Sequence, residues 1–278
     1  MDSQSLHPVL ETAEQIARRA GNILREYYYH PRQSDHKQTN IDLVTEADRD
    51  SEAYIVKALR EAFPDHHIRG EEGGGYGPAP ESTPFHWYVD PLDGTTNFAH
   101  RVPHFAVSMA LSDAHMHPIL GVIYDPMRGE CFTTIKGEGV WLDKQPIRVS
   151  DITDLGQALV VTGFPYDSWT HPENNVVNVG NFLVRTQGVR RVGSAALDLA
   201  YVAAGRYEIY WERGAKPWDV QAGILCVLEA GGKVSDYQGN QNGLAYTGQY
   251  IVATNGHLHD WAVAVLTQGD KAPRPTPR

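Results

Sequence analysis

Apolar residues Val9, Leu10, Ala13, Ile16, Ala17, Ala20, Ile23, Leu24 and Tyr27 recur at three- and four-residue intervals, which predicts a long amphipathic helix at the start of the chain. A polar loop over residues 31–40 is expected next, then a short strand and a second helix over about 46–62, closed by Pro64. Residues 85–89 read as a strand that runs into the carboxylates of residues 90–93. Strands are also expected at 105–111 and 119–124, with further hairpin to about residue 149. Beyond that the rhythm alternates: strands at 158–162, 188–192, 207–211, 233–235 and 250–254, and helices at 174–186, 194–204, 217–230 and 257–267. Such alternation implies layered α and β elements rather than a helical bundle or a β-sandwich.

There is no internal repeat and no linker, so one unit over 1–268 is expected, with an α+β half to about residue 150 and an α/β half from 151. The charged, Pro-rich tail over 269–278 is expected to be disordered. Its 278 residues suffice for a substantial core, and 41% hydrophobic with 21% charged residues is an ordinary globular balance. No apolar run approaches membrane-spanning length, and the N-terminus lacks the basic and apolar parts of a signal peptide. A cytoplasmic protein without membrane partners is therefore expected. The net charge of −10 argues against a nucleic-acid partner, since phosphate backbones are held by clustered Lys and Arg. Cys131 and Cys226 form no motif and read as buried free thiols. The many histidines (His66, His67, His100, His104, His115, His117) lack a ligand-like spacing and read as surface or loop residues.

Chemistry concentrates in Trp87-Tyr88-Val89-Asp90-Pro91-Leu92-Asp93-Gly94-Thr95-Thr96-Asn97-Phe98. A buried strand there ends in two carboxylates three residues apart, stiffened by Pro91. Like charges so placed raise each other's pKa unless a hard cation neutralises them, and magnesium suits an all-oxygen set. Gly94 permits a tight turn, after which free backbone amides at a helix start would receive an anion. Taken alone, the same residues also describe a strand and an Asp-Gly turn without function.

The segment Asp90–Phe98 resembles the signature of the inositol monophosphatase family. Three more family elements follow the expected order: Asp42-Leu43-Val44-Thr45-Glu46-Ala47-Asp48, Gly70-Glu71-Glu72 and Trp218-Asp219. The resemblance runs from the first helix to about Thr267. It implies a layered αβαβα sandwich of the sugar-phosphatase type, a homodimer, and two or three Mg2+ ions per site. The metals would be held by Glu71, Asp90, Asp93, Asp219 and the backbone carbonyl of Leu92. Thr95 and Glu71 would position the attacking water, with Asp48 supporting Thr95. The backbone about Gly94 and Thr95 would hold the phosphate. Gly193, Ser194, Ala195 and Glu212, with Asp93 and Asp219, would line the substrate pocket.

Each of these residues has a plainer reading. Thr45 to Asp48 also resembles a capping box, Asp219 a first-turn acid after Pro217, Glu71 and Glu72 a solvated loop pair, and Glu212 a partner of Arg213 or Lys216. Arg69 and the run Gly73-Gly74-Gly75-Tyr76-Gly77 depart from the family pattern. So many glycines predict a loop over 70–80 that is mobile without metal, and Gly74→Ala or Gly75→Ala should tighten it if neither needs a positive φ. The implied reaction is hydrolysis of a small phosphate monoester of a polyol or sugar, foremost myo-inositol monophosphate, by a water that the metals activate. Alternatives are a fructose-1,6-bisphosphatase, a 3′-phosphonucleotidase, an NADP phosphatase or a histidinol-phosphatase, and, of a different class, a noncatalytic binding protein with this fold.

Overall fold

A computed structural model describes residues 3–30, 40–165, 167–241 and 243–274, with the side chains of Ser3 and residues 40–45 outside the description. Two long helices come first, α1 (Ser3–Tyr29) and α2 (Asn40–Ala62). The next elements are strands β1 (His67–Gly70), β2 (Gly74–Tyr76) and β3 (His86–Asp93), the short helix α3 (Thr95–Ala99), and strands β4 (Ala106–Ser112), β5 (Pro118–Asp125), β6 (Glu130–Ile135), β7 (Gly139–Leu142) and β8 (Gln145–Pro146). The second half runs β9 (Leu159–Thr162), α4 (Val176–Leu183), β10 (Gly188–Arg190), α5 (Ala195–Ala203), β11 (Ile209–Arg213), α6 (Pro217–Glu229), β12 (Lys233–Ser235), α7 (Leu244–Thr247), β13 (Tyr250–Thr254) and α8 (His259–Gln268).

The first sheet has strand order β2-β1-β3-β4-β5-β6-β7-β8, antiparallel except where β1 lies parallel to β3. The second has order β10-β9-β11-β13-β12, with β9 parallel to both β10 and β11. Apolar faces fix the stacking. Ala13, Ala17 and Leu24 of α1 and Ile55 and Leu59 of α2 are buried with Trp87, Val107 and Val122 of the first sheet. The other face of that sheet, through Ala106, Ala110, Ile123 and Phe132, shares a core with α5 and α6 and with Tyr210 and Ala253 of the second sheet. Beyond it, Val160, Trp211 and Val252 pack with Phe182 of α4 and with Ala262 and Val265 of α8. The layers are thus helices, sheet, helices, sheet, helices: an αβαβα sandwich. No described helix is long and apolar enough to cross a membrane.

Several expectations change. The second helix begins at Asn40 and no strand precedes it among the described residues. Leu43, Val44, Ala47, Ser51 and Ile55 keep helical spacing, so the helix absorbs the stretch expected as strand. Thr45 lies inside it, and a helix cap at that position is ruled out. The glycine run expected as a loop supplies β2, which pairs with β1 in the register Ile68↔Tyr76 and Gly70↔Gly74. Gly74 sits at φ +83°, so the tightening expected of Gly74→Ala does not hold there. His66 and His104 are buried rather than at the surface, and Trp87 Nε1 donates to His66 Nδ1 at 3.1 Å. Gly269–Lys271, expected in a disordered tail, forms a 3-10 turn held by Arg185, whose guanidinium donates to the carbonyls of Gly269, Asp270 and Ala272. The last four residues of that tail, 275–278, lie outside the described residues. Both cysteines are buried and free.

Candidate active site

The site forms where the ends of β3, β11 and the two central helices meet. Strand β3 is buried along its whole length, and its register with β4 slips between Asp90 and Asp93. Pro91 cannot donate to a ladder, and the Leu92 amide turns back onto Asp90 Oδ1 at 2.9 Å. This bulge brings both acids to one end of the strand. Gly94 then takes φ +102°, where a side chain would press on the carbonyls of His104 and Gly193 and on Phe105. The Thr95 hydroxyl donates to the Leu92 carbonyl at 3.2 Å rather than to Asp48.

The opposite wall comes from α5 and α6. Ser194 caps α5, and Asp93 accepts from the Ser194 hydroxyl and from the amides of Ala195 and Ala196 at 3.3 and 2.8 Å. Asn97 Nδ2 fastens the turn by donating to the carbonyls of His104 and Val192, both at 2.8 Å. The two halves of the chain are therefore locked at the carboxylates. Pro217 opens α6, and Asp219, its third residue, accepts from the Lys216 amide at 2.7 Å. Asp219 is thus a first-turn acid that also caps the helix, and its carboxylate borders the same cavity.

That cavity measures about 550 Å³ and is lined by Glu71, Asp90, Asp93, Gly94, Thr95, Gly193, Ser194, Ala195, Glu212 and Asp219. Leu92 and Asp48 lie behind the wall, both buried. A smaller cavity of about 300 Å³, near Arg213 and Tyr237, holds none of the residues expected from sequence.

Electrostatics single out the larger cavity. Burial first, then Glu71, Asp93 and Asp219, push Asp90 well above the usual carboxylate range. Burial and then Asp93 do the same to Asp219. Asp93 is raised to about 6 by burial, against the opposing hydrogen bonds from Ser194, Ala196 and Ala195. Glu71 is raised to about 7, chiefly by burial of its carboxyl, although the residue as a whole stands at the exposed rim, so solvent tempers that shift. Asp48 is raised to about 8 by burial and then by Glu71, and its Oδ1 has no hydrogen-bond partner. Glu212 is raised to about 7 by burial, with the Tyr210 hydroxyl donating to it at 2.8 Å.

Among the described residues, no three histidine, cysteine or acidic side chains yet converge as a finished metal cage. Their present bonds explain this: Asp93 and Asp219 face backbone donors. The donor chemistry nonetheless fits a hard divalent cation. The four acids offer oxygen only, they repel one another, and Asp48 behind them is unsatisfied.

Sequence reading missed Asp198 and Arg191, which also line the cavity. Asp198 is buried one turn beyond Ser194, with Oδ1 unpartnered and its pKa held well above normal by burial and then by Glu212. Only its four-residue spacing from the cap could have flagged it. Arg69, the departure noted above, lays its guanidinium 5.7 Å from the Trp218 ring centre and so ties β1 to the start of α6.

An αβαβα sandwich with an acid-lined cavity between its halves defines a layered phosphatase that works with divalent cations, a phosphoric monoester hydrolase. The inositol monophosphatase family model matches residues 5–270, and the chain belongs to that family. It is 45% identical to the inositol-1-monophosphatase of Synechocystis over 90% of this chain and 85% of that protein. It is 46% identical to the Nus factor SuhB of Pseudomonas aeruginosa over 90% of this chain and 92% of that one. The structure of an inositol monophosphatase from Anabaena matches with TM-score 0.86 and 42% identity, covering 97% of this chain and 98% of the other.

Proposed function

We propose that the chain hydrolyses myo-inositol monophosphate to inositol and phosphate with magnesium, two or three ions per site. The observation that carries this reading is the joining, in one cavity, of four acids from β1's end, β3 and α6 with the pocket-lining Gly193, Ser194, Ala195 and Glu212. Glu71, Asp90, Asp93, Asp219 and the Leu92 carbonyl would hold the ions. Bound divalent ions supply charge neutralisation for the phosphoryl oxygens and acidify a water.

The chain's own residues do the positioning. Thr95, held by its bond to the Leu92 carbonyl, and Glu71 line the same cavity and would bracket the attacking water. Asp48 backs them from α2. The first amides of α3 have no partner within that helix and face the phosphate. Glu212, oriented by Tyr210, accepts from hydroxyls of the alcohol half, which favours a polyol over a nucleobase. Exposed Val176, Val177, Leu183 and Val184, at helical spacing along α4 and its C-terminal cap, offer an apolar face for a second copy, consistent with a homodimer. The absence of a spanning helix among the described residues is consistent with a cytoplasmic enzyme.

Phosphate release from phosphorylated polyols, sugars and nucleotides, compared by kcat/KM with and without magnesium, tests this. Higher kcat/KM on fructose-1,6-bisphosphate, a 3′-phosphonucleotide, NADP or histidinol phosphate would replace the substrate. Relatives named Nus factor SuhB match this chain as well as named phosphatases do, so a second, non-hydrolytic role of that kind is the other reading. A hydrolytically dead Asp93→Asn chain that retained such a role would establish it.

A further inference from the structure

Glu52 lies on α2 one helical turn beyond Asp48, is 3% exposed, and reaches into the turn that carries Glu71. Its Oε2 accepts from the Glu72 amide at 2.9 Å. Its Oε1 accepts from the Gly73 amide at 2.7 Å and from the Tyr76 hydroxyl at 3.0 Å. Three donors from one hairpin thus converge on one buried carboxylate, the arrangement in which hydrogen bonds to a charged acceptor are strongest.

The neighbouring glycines are shaped around it. A side chain at Gly70 would fall 2.5 Å from Glu52 Oε2, and one at Gly73 would fall 1.5 Å from the Tyr76 hydroxyl and 2.8 Å from Glu52 Oε1. These glycines therefore admit a carboxylate to the backbone rather than loosen the chain. On its other side the turn is held by β1, whose Gly70 pairs with Val89 one residue before Asp90. Glu71 sits between these two anchors.

We infer that Glu52 is a positioning residue that sets the Glu71 turn before any cation arrives, so that Glu71 joins the site without ordering a free loop. The inference rests on the reading of Glu71 as a metal ligand. Its consequence is opposite to that of a mobile glycine loop: the amides of Glu72 and Gly73 are protected in the metal-free protein.

Hydrogen exchange of the metal-free chain and calorimetric titration with magnesium test this together. In the wild type, the Glu72 and Gly73 amides should exchange at least about tenfold more slowly than unstructured amides, as expected of bonds that open only by local unfolding. Glu52→Ala should abolish that protection, leave exchange in β3 and β4 unchanged, and weaken magnesium binding by roughly tenfold, which is about 1.4 kcal/mol. Glu52→Gln, which retains one acceptor oxygen, should fall between and so keep the test open if the alanine variant fails to fold. Unprotected amides in the wild type, or magnesium affinity unchanged in both variants, would overturn the inference. Loss of protection throughout β3 would likewise overturn it, as the mark of a general structural role. Glu71→Gln serves as the separate control: if it leaves magnesium affinity unchanged, the metal-site reading fails, whatever Glu52 does.

Discussion

Lowering the pH of the metal-free protein from about 8 to about 6.5 should stabilise it, and Asp48 contributes a share that can be worked out. Its carboxyl rises from 3.8 in the unfolded chain to about 8 in the folded one, because it is buried and faces Glu71, Glu72 and Glu52. A carboxyl with a raised folded pKa binds its proton more tightly when folded. Its contribution is complete below the unfolded value and is lost as pH rises through the folded value. At ~1.4 kcal/mol per pH unit, and with Asp48 half-titrated near pH 8, the gain over this interval is about 1.5 kcal/mol. Glu212, raised to about 7, adds in the same direction, and the exposed Glu71 adds less. Below about pH 6.5 two histidines oppose the trend. His104 and His259 fall from 6.5 to about 4 through burial, so their contribution is present above the unfolded value and drains away below it. These two offset only part of the gain from the raised carboxyls, so stability should still be rising with acidification at about pH 6. Urea unfolding in chelator from about pH 5 to about pH 8.5 measures this, with Asp48→Asn as the paired variant. That variant should lose about 1.5 kcal/mol of the rise between about pH 8 and about pH 6.5 and be more stable than wild type at the alkaline end. Saturating magnesium should flatten the slope by satisfying the ionised acids. A wild-type profile that is flat or rising from pH 6.5 to 8, or an Asp48→Asn profile of the same slope, would refute the reasoning.

Asp93→Asn should abolish hydrolysis, by at least about a thousandfold, while the protein stays folded, as read by phosphate release and circular dichroism. Its metal-free melting temperature should change little, because relief of repulsion is offset by weaker acceptance from Ser194, Ala195 and Ala196. Thr95→Ala should lower kcat far more than it raises KM, since the first amides of α3 that would hold the phosphate are untouched; steady-state kinetics showing the reverse would make Thr95 a binding residue. Gly74→Ala, at φ +83°, should destabilise by about 1 kcal/mol in urea unfolding, despite open space around its Cα.

Most of the layering was legible in the chain because periodicity records burial directly. Val9 to Tyr27 mark one helical face, and the buried run of β3 ends at the acids the motif singled out. The acids themselves were legible too, since few physical settings tolerate Asp90 and Asp93 so close together without counter-charge. Tertiary structure decided what those residues face. Asp219 caps α6 and borders the cavity at once, a double service that a first-turn acid does not announce. Asp198 reads as an unremarkable helical acid until the second sheet brings Glu212 against it. The glycine run about Gly73 signalled freedom, because sequence shows only that a side chain is missing. The fold shows what occupies the space instead: Glu52, brought twenty residues along the chain and onto the turn by the packing of α2 against the first sheet. Local pattern determines which elements form, whereas partners distant in sequence are chosen only when the layers close.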